Sequence, residues 1–224
     1  MRGLPHLLLA GLFAAFLARP AYAELAHGLA AYQRGEYSEA FRELDPLAVA
    51  GDPVAQYTVA RMYLAGQGVS RDAADGLRWL RKAAGSGLAS AQYQLGARYQ
   101  FGIDLPQDYA RAAAWYLKAA DRGFAAAQFR LGILYMNGLG VARDPIAAHM
   151  WLNLAIAQLP PGPLRDAAAK LRENLAEKMS AAQIARAQLL ARNWRPAAGC
   201  RERGLPVGGV SCYQRQINSQ GGLR

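Results

Sequence analysis

The feature that most constrains this chain is an internal repeat with a period of 36 residues. Ala55, Gln56 and Tyr57 return as Ala91, Gln92 and Tyr93, and again as Ala127, Gln128 and Phe129. Tyr63, Tyr99 and Tyr135 keep the same step, as do Gly66, Gly102 and Gly138, and Asp72, Asp108 and Asp144. Trp79, Trp115 and Trp151 keep it too, with Ala83, Ala119 and Ala155. Independent residue types sharing one period mean that one supersecondary unit is copied along the chain. Copied units of this size bury their apolar faces only against each other.

The residues also say what the unit is. Ala55, Val59, Ala60 and Tyr63 recur at helical spacing, so 55–65 reads as one helix. Gly66 ends it, because glycine takes the left-handed conformation that a helix end often needs. The loop 66–72 follows, and Asp72 is placed to accept hydrogen bonds from the free N–H groups of a second helix. Asp144 is followed by Pro145, which suits a first helical position. The second helix carries Leu77, Trp79, Leu80, Ala83 and Ala84 and ends near Gly87. The expected fold is therefore all-α: a solenoid of antiparallel helix pairs, with units at 55–90, 91–126 and 127–158. Residues 24–54 read as a divergent first hairpin of tetratricopeptide type, lacking the loop residues that match Gln67 to Arg71.

Pro160, Pro161, Gly162 and Pro163 then break the pattern. Leu164, Ala168, Leu171, Leu175 and Met179 form a new apolar stripe, and Ser180 with Gln183 reads as a capping box. Two helices over 164–195 are expected to cap the array, since the last face of a solenoid needs an atypical cover.

The repeat resembles the Sel1-like repeat family. The resemblance is carried by Ala127, Leu131, Gly132, Tyr135, Gly138, Gly140, Val141, Asp144 and Trp151, and by Trp115, Lys118, Ala119, Ala120 and Gly123. Asp104 replaces the second loop glycine, in a residue type that tolerates the left-handed region. Leu154 and Ile156 break the Lys-Ala-Ala ending in the third unit. The resemblance implies a protein–protein adaptor or regulator, often serving the cell envelope. Some relatives rich in inter-helix disulfides are linked to β-lactam binding or hydrolysis, but this chain has no cysteine within its repeats.

The two ends carry their own signals. Arg2, the apolar run Leu7 to Ala18 and the small-x-small site Ala21, Tyr22, Ala23 form a secretory signal peptide, 1–23, cut after Ala23. The apolar run is too short to span a bilayer of about 30 Å. A periplasmic or secreted protein is expected. Without Arg2 and Arg19 the formal charge falls from +10 to +8, and Arg195 to Arg224 supply five arginines against Glu202. Residues 196–224 read as a basic, flexible tail. Export argues against nucleic acid as the partner, and peripheral contact with an anionic envelope surface fits better. Cys200 and Cys212 in that tail allow one internal disulfide. The alternatives are a bridge to another chain or two free thiols.

Catalytic constellations are scarce. His27 and His149 fall in different units without cysteine or carboxylate partners at ligand spacing, so neither a metal site nor a cofactor is expected. Asp72, Asp108 and Asp144 are accounted for by capping, and the three tryptophans by the core. No enzyme is expected; the rival readings are a cell-wall or β-lactam-acting enzyme, or an anionic lipid or glycan binder working through the tail. Positions 58, 61, 62 and 65 and their equivalents change from unit to unit on one side of the first helices. The groove expected there consists of Arg61, Met62, Arg98, Phe101 and Arg130, suited to an acidic, partly apolar protein segment.

Overall fold

A computed structural model describes residues 23–196. The expected leader up to Tyr22, the tail beyond Pro196, and both cysteines lie outside the described residues. Among the described residues the chain is all-helical. It divides into two compact units, Met1–Ser86 and Gly87–Arg224.

In the first unit, α1 covers 23–34, α2 is Tyr37–Val49, α3 is Pro53–Ala65 and α4 is Ala73–Gly85. Helix α3 packs on both α2 and α4. In the second unit, α5 is Ala89–Phe101, α6 Tyr109–Asp121, α7 Ala125–Asn137, α8 Pro145–Gln158, α9 Pro163–Ala176 and α10 Ala181–Asn193. Neighbours in sequence pack together from α5 to α9, and α10 returns onto α8. This is the helix-pair plan that the period demanded.

The repeated positions each have a structural task. Gly66, Gly102 and Gly138 end α3, α5 and α7 in the left-handed conformation, with φ of 69°, 66° and 69°. The repeated aspartates do two things. Their carboxylates accept from the first-turn N–H groups of α4, α6 and α8 (Asp75 and Arg111 for the first two, Ile146 and Ala147 for the third). Their own N–H groups donate to the carbonyls of Tyr63, Tyr99 and Tyr135 at 2.9, 2.9 and 3.0 Å, closing the loop. A cap of this kind stabilises a helix by about 1 kcal/mol. The repeated glutamine reaches back to the preceding hairpin: Gln56 Nε2 donates to the Ala48 carbonyl at 3.2 Å, and Gln128 Nε2 to the Ala120 carbonyl at 3.3 Å.

Each helix pair crosses at a point where one residue must be glycine. A methyl at Gly96 would sit 2.8 Å from the Tyr116 ring, and one at Gly132 would sit 2.9 Å from Leu152. In the first full repeat the roles are exchanged. Ala60 occupies the glycine position, and Gly76 on the facing helix, where the others have Ala112 and Ala148, clears the space. Close approach lets apolar side chains interlock at crystal-like density.

The cap forms as expected, with Ser180 and Gln183 making both bonds of the capping box. Ala168 and Leu175 join Phe129, Ala148, Leu152 and Ala155 in one cluster, with Leu171 and Met179 packed against it. Two expectations need correction. Leu164 is 40% exposed, because it lies in the first turn of α9, off the buried run. Trp115 is only half-buried, its ring lying beneath the Lys118 ammonium at 4.7 Å, whereas Trp79 and Trp151 are core.

Candidate functional site

The expected groove residues fall into four situations. Met62 is fully buried between the packed faces of the first unit and is not available to a partner. A first helix in a stacked array touches neighbours over most of its circumference, so position 62 and its equivalent Leu134 are both core. Thr58 is buried as well, its hydroxyl donating to the Val54 carbonyl at 2.9 Å. The row that stays open is 65, 101 and 137, that is Ala65, Phe101 and Asn137.

Arg61 in the first unit is exposed, its guanidinium 5.1 Å from the Tyr32 ring centre and 5.8 Å from that of Tyr57. Stacking between aromatic rings holds the arginine without neutralising it. Tyr32 is itself fixed, its hydroxyl donating to Gln67 Oε1 at 3.0 Å.

In the second unit, Arg98 is paired with Asp104, both side chains being more than four-fifths buried. Asp104 has φ of 55°, the left-handed conformation expected of the residue that stands in for glycine. The pair removes Arg98 as an available cation, because its charge is already matched. Phe101 and Arg130 are brought together: the guanidinium of Arg130 lies 5.3 Å from the Phe101 ring centre and 6.0 Å from that of Phe129. Phe101 is 51% exposed and Ile103, two residues on, is 49% exposed. Exposed large apolar side chains with an arginine among them are what interface anchors are made of.

A second feature of this unit was not anticipated. A cleft of about 400 Å³ opens between the end of α7, the loop that follows it, and α9. Met136, Leu171 and Leu175 form its floor, and Asn137, Arg143, Asn174 and Lys178 its exposed rim. Leu171, Asn174 and Leu175 share one face of α9, and Lys178 follows in the turn beyond its end. The apolar stripe on α9 was legible, but the polar residues interleaved with it carried no pattern of their own.

Nothing among the described residues gathers three His, Cys, Asp or Glu side chains into a metal-binding group. His149 is 3% exposed and works within the α8–α9 packing. Its Nδ1 lies 3.1 Å from the Asn153 amide nitrogen, and Asn153 Oδ1 accepts from Arg172 at 3.0 Å. Burial, followed by the positive charge of Arg172, holds the His149 pKa below its ordinary value. No described helix is long and apolar enough to cross a membrane.

The model of the Sel1 repeat family matches residues 53–88, 89–124 and 125–158. No curated protein matches the sequence. The chain is similar to the crystal structure of a Sel1 repeat protein from Oxalobacter formigenes, at 36% identity over 60% of this chain and 97% of that one, with a TM-score of 0.56. It is also similar to c5321, a protective antigen present in uropathogenic Escherichia coli strains and displaying an SLR fold, at 25% identity and a TM-score of 0.52. That match covers 85% of this chain, which spans 49% of c5321.

Proposed function

We propose that this chain, which belongs to the Sel1 repeat family, is a non-catalytic adaptor or regulator of the bacterial cell envelope. The family supplies the coarse part: Sel1 repeats serve as scaffolds for protein–protein contact. The envelope assignment rests on the leader-like segment 1–23.

The observation that supports a binding role is the exposed apolar pair Phe101 and Ile103 with Arg130 stacked on Phe101. A soluble domain gains nothing by leaving such a pair in water, and surfaces of this kind mark interaction sites. The partner segment best suited to it presents apolar side chains beside a carboxylate, the first for Phe101 and Ile103, the second for Arg130.

The test is comparative affinity capture from periplasmic extract with the processed protein and its Phe101→Ala, Arg130→Ala variant. Loss of specific partners from the double variant, with helical content retained, is the expected outcome; an unchanged set overturns this surface. Intact-mass analysis of protein from a periplasmic fraction checks the location. A mature chain beginning at Glu24 is expected, and an uncleaved cytoplasmic chain overturns the envelope role.

A further inference from the structure

We infer that the cleft between the α7 end and α9 is a second docking site, and that it takes an extended acidic peptide segment of a partner protein. The inference rests on the adaptor reading but not on the Phe101 surface. The walls carry two cations, Arg143 and Lys178, and no acid. Neither cation takes part in a salt bridge seen among the described residues. The acids nearest in sequence, Asp144, Glu173 and Glu177, fall outside the cleft-facing set: the Asp144 carboxylate accepts from the Ile146 and Ala147 N–H groups at the start of α8, and Glu173 lies 3.8 Å from Arg172.

The arginine is set in place by the repeat itself. Arg143 Nε donates to the Met136 carbonyl at 3.2 Å, as Arg71 does to Leu64 at 3.2 Å. In the middle repeat Gln107 makes the same bond to Gln100 at 2.8 Å. One donor of each side chain closes the loop; in Arg143 the terminal nitrogens remain to meet a ligand. The bond also shortens the search that a free arginine would make, since a side chain already ordered loses less entropy on binding.

The other lining groups fit a peptide. Asn137 and Asn174 each offer a carboxamide, which both donates to a peptide carbonyl and accepts from a peptide N–H. Leu171 and Met136, half-buried on the floor, leave apolar surface for one side chain between two carboxylates. A free inorganic anion would use the cations and the amide N–H groups but leave the amide oxygens and the apolar floor idle. The basic tail of this chain is a poor occupant, because it would bring arginines to a wall that is already positive.

The middle repeat indicates the right variant. Arg143→Gln keeps the bond to the Met136 carbonyl, as Gln107 shows, and removes the charge. It is combined with Lys178→Gln. The probe is a fluorescein-labelled peptide of alternating aspartate and leucine, followed by fluorescence anisotropy against the full processed protein. Salt-sensitive binding is expected, weakened about ten-fold or more in the Arg143→Gln, Lys178→Gln variant. A charge-matched control, Arg165→Gln with Arg186→Gln, should bind as the parent does. The inference is overturned if the parent does not bind, or if both double variants lose affinity equally, which is net charge alone. Equal competition by inorganic phosphate and by unlabelled peptide would also overturn it. Phe101→Ala, Arg130→Ala should leave this probe unaffected. Capture of partners by the first surface with no probe binding here would remove the cleft and leave the adaptor standing.

Discussion

The second helix of the third repeat, α8, differs from its counterparts α4 and α6 at several places, and three of the differences converge. At Trp79 and Trp115 the ring carries a lysine, Lys82 at 4.2 Å and Lys118 at 4.7 Å. At Trp151 the matching residue is Leu154, the indole is fully buried, and Trp194 meets it edge-on at 6.4 Å. Where the others have Ala84 and Ala120, α8 has Ile156, packed into the cluster shared with α9. Where they have Leu77 and Ala113, it has His149, linked through Asn153 to Arg172 of α9. A repeat unit that continues the array keeps the shared pattern; one that must accept a cap trades charged and small residues for apolar and hydrogen-bonding ones. Departure from the pattern is thus the docking code for α9 and α10.

The largest expected effect sets the buried tryptophan against the half-buried one. Trp151→Ala should cost about 3–5 kcal/mol, as deletion of a buried aromatic does. Trp115→Ala, losing partial burial and a cation–π contact, should cost about 1 kcal/mol. Urea denaturation followed by circular dichroism measures both, and equal losses would break the contrast.

Restoring the shared pattern comes next. Leu154→Lys puts an ammonium where an apolar residue is 8% exposed, at a cost of about 2–3 kcal/mol. Limited proteolysis should then release the cap first and leave the repeats resistant. A variant as protease-resistant as the parent would mean that Leu154 does not hold the cap.

The smallest effect is one of pH. With its pKa held below the ordinary value of about 6.5, His149 binds its proton less readily in the folded chain than in the unfolded one. Its contribution to stability is full above that pH and is lost as pH falls through it towards the folded value. Denaturation midpoints taken at descending pH should fall, and less steeply in His149→Gln. Identical slopes would show that other groups carry the titration.

Much of this was legible beforehand, for a definite reason. Helix ends and caps depend on local backbone chemistry, so Gly66, Asp72, Asp144 and Ser180 announced themselves. The groove was less legible, because exposure depends on what packs alongside. Variation among units suggested that position 62 faces solvent, yet Met62 and Leu134 are core residues that differ only in shape. Arg98 and Asp104 both depart from the other units and pair with each other, a coupling that single positions do not reveal. The cleft needed α9 to be placed against the end of α7, a tertiary fact with no period to betray it. The unlike ending at Leu154 and Ile156 was visible, but only the packed cap gives it meaning.

The loop glycine of the third repeat has a further consequence. Gly140 has φ of 69°, and a methyl placed on it would lie 2.2 Å from the Tyr109 carbonyl carbon. Gly68 approaches Tyr37 in the same way within the first unit, at 2.5 Å from the carbonyl carbon. In both places main chain rests on main chain, so the distance from one hairpin to the next is gauged by atoms that every residue shares. A side chain at either glycine would therefore push two backbones apart and not merely repack its neighbours. An engineer splicing in a further copy of the third repeat would have to carry Gly140 with it, because that glycine is part of the joint.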